Sequence, residues 1–379
     1  MTQAPTGRRP PVSAQAEIGP PAVREAIAAF AQGMPVVIVD SEHDENGGDL
    51  VFAAECATPQ LVAVAVRYGS GFLCVAITES DADRLELPAI RRSHDPHGSA
   101  YTVTVDAREA ISTGISATDR AITLRTLADP NAEPSSFTRP GHVVPLRASA
   151  GGVLQRPGAA EAAVDLAVLA GRRPSAALCK LVSENDPREL AQGSELRRFA
   201  QHRGFPLISV ADLRDHRLCN GVVVAPTART NVRLAHADFT AVSYHSILDE
   251  REHIAFVLGN HSGESVPVRI QRECLIGDVF GSHRCDCADS THQALATIAA
   301  AGHGVLIYLR SPVNTSVLGH RPAATIANRD TAIAAGIVRD LDISSVDLLT
   351  PYAAEADALA RLGIRVATRT AQLHTTRSA

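Results

Sequence analysis

Cys274-Leu275-Ile276-Gly277-Asp278-Val279-Phe280-Gly281-Ser282-His283-Arg284-Cys285-Asp286-Cys287 gathers three of the chain's seven cysteines into one short stretch. Thiolates bind Zn²⁺ tetrahedrally, and a catalytic ion generally takes three protein ligands and leaves the fourth position to water. Side chains alternate along an extended backbone, so Cys285 and Cys287 are expected to point the same way from an extended segment. A loop through Gly277 and Gly281 then returns Cys274 to them. A blander role also suits these residues, since free cysteine is a small side chain that is commonly buried. Three ligands rather than four favour a catalytic ion over a structural one, with a bound water acidified to a pKa of about 7.

The rest of the chain gives that cluster its setting. A length of 379 residues suits two domains better than one core. With 45% hydrophobic and 20% charged residues the composition is globular. A net charge of −5 argues against a nucleic-acid groove or an anionic-membrane surface, both of which need clustered Lys and Arg. No apolar run approaches the roughly 20 residues needed to span a bilayer, and the Pro-rich start lacks a secretory core, so a cytoplasmic protein is expected. In a reducing compartment clustered cysteines point to metal rather than to disulfides.

Residues 1–18 read as a disordered arm, because Pro, Ser, Thr and Gln supply no packed face. A helix is predicted from Pro20-Pro21 to Gly33, then a buried strand over residues 34–40 that feeds the acidic loop Glu42-His43-Asp44-Glu45-Asn46-Gly47-Gly48-Asp49. Thr58-Pro59 marks another helix start, with a capping hydroxyl and Pro in the first turn. Irregular alternation up to residue 216 predicts an α+β domain over 19–216, whereas strand–helix alternation after about residue 300 predicts a layered α/β domain over 217–379. The boundary is expected between Asp212 and Arg229, where polar, Pro-containing sequence precedes a second unit starting at Arg233–His245.

At the cysteines the chain resembles GTP cyclohydrolase II, through Arg269-Ile270-Gln271-Arg272-Glu273-Cys274, Gly277-Asp278-Val279-Phe280-Gly281-Ser282, Arg284-Cys285-Asp286-Cys287 and Tyr308-Leu309-Arg310. The resemblance implies that Cys274, Cys285 and Cys287 hold the zinc with which that family opens the imidazole ring of GTP, releasing formate and diphosphate. It also implies a catalytic role for Arg329 in stabilising developing negative charge, and substrate contacts for Arg269 and Arg310. Departures follow: Ser311-Pro312-Val313 begins where the family has an acidic, Gly-rich, Arg-containing stretch, Ala327 replaces an aspartate, and Pro351-Tyr352-Ala353 replaces paired asparagines and a lysine.

The first domain is similar to dihydroxybutanone phosphate synthase through Thr102–Asp106, Ser112–Ala117, Asp119-Arg120, Arg139-Pro140-Gly141-His142 and Glu161–Leu166. The resemblance implies rearrangement of ribulose 5-phosphate with loss of formate, with Glu45 as a metal ligand and Asp49, Cys74 and His142 in the pocket. Thr113, Arg120 and Arg139 remain as candidates to bind a phosphate. Against this, the family's phosphate-binding arginine is Asp44, its second loop carboxylate is Gly47, its metal-binding histidine is Ala159 and a glutamate is Lys180. These changes count against Mg²⁺ in this half.

Removing donors from a site built around a substrate's hydrogen bonds costs discrimination heavily. The sequence thus predicts a zinc-dependent hydrolase of ring or amide C–N bonds, acting on an anionic or nucleobase-like molecule other than GTP, in specialised metabolism, fused to an inactive first domain. Two alternatives stand beside it: a riboflavin-pathway enzyme active in at least one half, and a non-catalytic scaffold stabilised by zinc. The resemblance further implies a homo-oligomer.

Overall fold

The computed structural model describes residues 20–40, 47–90, 100–261, 265–283, 285–311 and 328–370. The expected N-terminal arm, Asp44, Glu45 and Ala327 lie outside the described residues.

Val, Ile and Leu without polar interruption are what a strand covered on both faces demands, and the first sheet is of that kind. Its strands are β1 (Val36–Val39), β2 (Gly48–Ala53), β3 (Cys74–Thr78), β4 (Ala100–Tyr101), β5 (Val105–Ala107), β6 (Phe137–Ala148), β7 (Ser175–Lys180) and β8 (Leu207–Ser209), in the order β4-β6-β3-β7-β2-β1-β8 with β5 on β6. Alternate side chains enter opposite cores. Val37, Leu50, Phe52 and Val75 pack with Val62 and Leu124 of the helices Pro59–Tyr68 and Ala117–Leu127. Ile38, Val51, Ala76 and Leu178 pack with Phe30 and Leu166 of the helices Pro21–Ala31 and Ala159–Leu169. The result is a three-layer α+β unit, as the residue patterns predict. The Thr58 cap forms, its side chain accepting from the Leu61 N–H at 3.2 Å.

The second sheet contains β9 (Val224–Arg233), β10 (Asp238–Ser246), β11 (Arg251–Leu258), β12 (Val266–Arg272), β13 (Gly304–Leu309), β14 (Val346–Leu349) and β15 (Val366–Thr370), ordered β15-β14-β12-β13-β11-β10-β9. The pairs β12–β13, β12–β14 and β14–β15 are parallel, so these four strands deliver their chains to the same edge. Helices Asn328–Asp340 and Ala353–Arg361 cover one face through Ile333, Ile337 and Leu359, and the helix Cys287–Ala301 covers the other through Ala294 and Ile298.

The local structure around the expected boundary differs from the sequence reading. The polar stretch after Asp212 is no irregular connection: a helix runs Val210–Asn220 and β9 follows. β9 is an edge strand, exposed from residue 225 to 231, so its polar residues and Pro226 read as loop although they pair with β10 along their length. No described helix is long and apolar enough to cross a membrane.

The helix Val210–Asn220 is anchored to the first unit by Arg217, whose NH1 lies 2.7 Å from both oxygens of Asp165 and 3.1 Å from the Gly151 carbonyl. Its last turn places Leu218 in the core of the second unit. Truncating one partner of a buried pair leaves the other charge uncompensated. Arg217→Met should therefore cost about 3 kcal/mol, read as a lower urea midpoint at unchanged slope; an unshifted midpoint would show the pair to be dispensable.

Candidate active sites

The cysteine cluster forms where β12 ends. Cys274 caps a short helix, Leu275–Asp278, whose turn carries the chain back toward Cys285, and Cys287 opens the helix Cys287–Ala301. The convergence is thus achieved by two helix starts and not by an extended Cys285–Cys287 segment, because Asp286 has φ −100° and ψ 16°, outside strand geometry. The three sulfurs lie within 4.8 Å of one another, with Cys274 and Cys285 Sγ 3.7 Å apart. Gly277 makes the approach possible, since a Cβ there would sit 2.6 Å from Cys285 Sγ and 3.3 Å from Cys274 Sγ. Burial and mutual crowding push the Cys287 thiol above its ordinary range, a shift that a cation beside it would oppose. Soft, half-buried thiols in this arrangement fit a tetrahedral zinc ion.

Asp278 fastens the cluster to the sheet. Its Oδ2 accepts from the Cys274 N–H at 2.8 Å and from the Tyr308 hydroxyl of β13 at 2.7 Å. Burial, then Asp278, hold Tyr308 protonated well above its usual range. Arg269 differs from its expected role as a substrate contact. It is only 6% exposed, and its guanidinium donates to the Leu349 carbonyl and to Ser290 Oγ, both at 2.8 Å, tying the end of β14 to the cysteine-bearing helix. Arg310 is exposed at the end of β13, its N–H donating to His253 Nδ1 at 3.1 Å. Arg329 is half-buried, with Nε 3.7 Å from Asp330 Oδ1.

In the first domain, strand register does the positioning. Asp49 pairs with Lys180, Cys74 pairs with both Leu178 and Val144, and alternation therefore puts His142, Lys180 and Asp49 in one row on one face, with Cys74 a pleat behind. Lys180 Nζ stands 2.9 Å from Asp49 Oδ2 and 2.5 Å from Asp40 Oδ2. Burial opposes the ammonium, but the two carboxylates hold it above the normal lysine range. Burial pushes the Cys74 thiol up to about 12, so it stays protonated. His142 Nδ1 lies 2.7 Å from Asp106 Oδ2, and Gly114 closes over the pair, where a Cβ would fall 2.1 Å from that oxygen.

The divalent ion implied for this pocket does not fit its residues. Like unit charges about 4 Å apart repel by roughly 4 kcal/mol at a surface-like dielectric, so Lys180 by itself opposes a dication by roughly 8, set against the attraction of the Asp40 and Asp49 carboxylates that it already engages. Ala159 offers no donor, and Gly47, with φ +71°, is a turn residue in place of a carboxylate. The phosphate candidates also separate. Arg139 is committed to the carbonyls of Leu85 and Pro134, whereas the buried Arg120 bonds Gly71 O and leaves its Nε without a partner.

Sequence reasoning did not single out Asp40, Asp106 or Asp278 as site residues. Each acts across strands. The one local signal was position, with Asp40 and Asp278 just past a strand or within the cysteine turn.

Each of the two units thus carries a polar centre at one edge of its sheet, the architecture of a two-domain enzyme with separate pockets. Residues 24–216 match the family of 3,4-dihydroxy-2-butanone 4-phosphate synthase, and residues 226–371 match that of GTP cyclohydrolase II. The chain is 48% identical to the riboflavin biosynthesis protein RibBA of Rhodococcus jostii (strain RHA1), over 92% of this chain and 89% of that one. Against the protein of the same name from Mycobacterium tuberculosis (strain CDC 1551 / Oshkosh) it is 45% identical, over 92% and 88%. Among solved structures, RibBX of A. baumannii, described as a two-domain 3,4-dihydroxy-2-butanone 4-phosphate synthase, matches with TM-score 0.69 and 28% identity, covering 92% of this chain and 99% of its own. The chain belongs to the two-domain dihydroxybutanone phosphate synthase–GTP cyclohydrolase II family.

These matches correct the expectation of a hydrolase for some other substrate, outside riboflavin biosynthesis and fused to an inactive first domain. Identity of 45–48% extends across both sheets to relatives named for riboflavin biosynthesis. The substituted pocket positions are few beside that shared framework, and they were given more weight than it.

Gly277→Val should open the sulfur cluster and lower cobalt(II) uptake by about tenfold with far-UV circular dichroism unchanged. Wild-type thiolate-to-cobalt absorption in that variant would show that the close approach is not needed.

Proposed function

We propose that this chain is a riboflavin-biosynthesis enzyme active in at least its cyclohydrolase half, with domains dividing near residues 216 and 217. The observation that carries the reading is the convergence of the three cysteine sulfurs within 4.8 Å at the carboxyl edge of parallel strands, where ligands of α/β sheets bind. Cys274, Cys285 and Cys287 would hold zinc, and a zinc ion so bound supplies a Lewis acid and an activated water for opening the imidazole ring of GTP.

The chain's own residues then take separable parts. Arg310, exposed at the end of β13, reaches toward the substrate's anionic groups, and Arg329 offsets charge that develops in the transition state. Arg269 and Asp278 act as positioning residues, the first fixing the cysteine-bearing helix and the second fixing the Cys274 loop. Tyr308, kept protonated, serves Asp278 as a hydrogen-bond donor. A homo-oligomer belongs to this reading.

GTP and ribulose 5-phosphate are supplied separately to the zinc-loaded protein and formate is measured. Formate and diphosphate should appear from GTP. Cys285→Ser should lose metal and GTP-derived formate together, and a chelator should do the same reversibly on zinc return. Absence of formate from GTP would falsify the reading, and formate from ribulose 5-phosphate alone would place the activity in the first domain instead.

A further inference from the structure

We propose that Lys180 is the resident cation of the N-terminal pocket and that its ammonium keeps divalent ions out. The geometry is a closed charge arrangement. Asp49, 2% exposed, and Asp40, at the end of β1, both reach the same nitrogen, at 2.9 and 2.5 Å. The pairing that sets Lys180 opposite Asp49 is part of the β2–β7 ladder, so the ammonium is positioned by backbone register and not by a chance rotamer. The other groups facing it are Cys74, protonated by burial one pleat behind, and, farther along the row, His142 with Asp106.

Carboxylates that would otherwise coordinate a hard cation are therefore already engaged by one side chain that stays charged across the physiological range. Hard divalent ions need several oxygen ligands together. The described residues of this pocket offer Asp40 and Asp49, and Lys180 engages both. The pocket thus sets one fixed ammonium against its two carboxylates in the place of an exchangeable dication. This concerns the opposite half from the zinc site, so it stands or falls independently of GTP turnover.

The test uses full-length protein with its cysteine site saturated by zinc, and Mn²⁺ as probe, followed by the electron paramagnetic resonance of the free ion. Wild type should leave the Mn²⁺ signal undiminished. Lys180→Gln should bind an equivalent of Mn²⁺, and Lys180→Arg, which keeps the charge, should bind none, providing the control should the glutamine variant be poorly folded. Mn²⁺ bound by wild type and lost in Asp49→Asn would overturn the proposal. So would a folded Lys180→Gln protein that binds none, since the lysine would then be displacing nothing.

Discussion

Asp49 lies 2% exposed beside Asp40, and negative charge in such a place must be met by a proton or by a cation. Lys180 meets it in the first domain. Three crowded thiols stand together in the second domain, with the Arg269 guanidinium acting on Cys287, and their soft donor set suits a dication. Buried negative charge thus meets a covalently attached cation in one half, and the other half offers a thiol set suited to an exchangeable one.

Both answers rest on backbone register. In the first sheet the ladders β6–β3–β7–β2 set His142, Lys180 and Asp49 in one row, so a slip of one residue would turn every one of them to the opposite core. In the second, parallel β12, β13 and β14 end at one edge, and Cys274, Arg310 and Thr350 follow just beyond them at that edge. Asp278 and Arg269 then convert that rough proximity into a fixed sulfur geometry through hydrogen bonds of 2.7–2.8 Å. Such supporting contacts commonly matter to metal sites nearly as much as the ligands.

Single pocket positions and the overall framework point to opposite functions, and the family membership follows the framework. A family is kept by its framework, and here the identity to a relative extends over 92% of a chain that holds both cores. Substituted pocket residues then adjust charge and ligand chemistry inside such a frame, as proposed for Lys180. They are evidence about how a site works before they are evidence about which reaction it has lost.

The sequence alone determined the helix starting at Pro59, the buried strand Val36–Val39, the α+β then α/β order and the identity of the three converging cysteines, because each is written in local periodicity, capping chemistry or close spacing. It misread β9, whose exposed edge looks like loop, and the conformation around Asp286, which is fixed by the start of the following helix. Only the tertiary structure decided that Arg269 faces inward, that Asp40 shares Lys180 with Asp49, and that Asp278 joins Cys274 to Tyr308. Those contacts link residues distant along the chain, and no local pattern encodes a distance that is set by the pairing of strands.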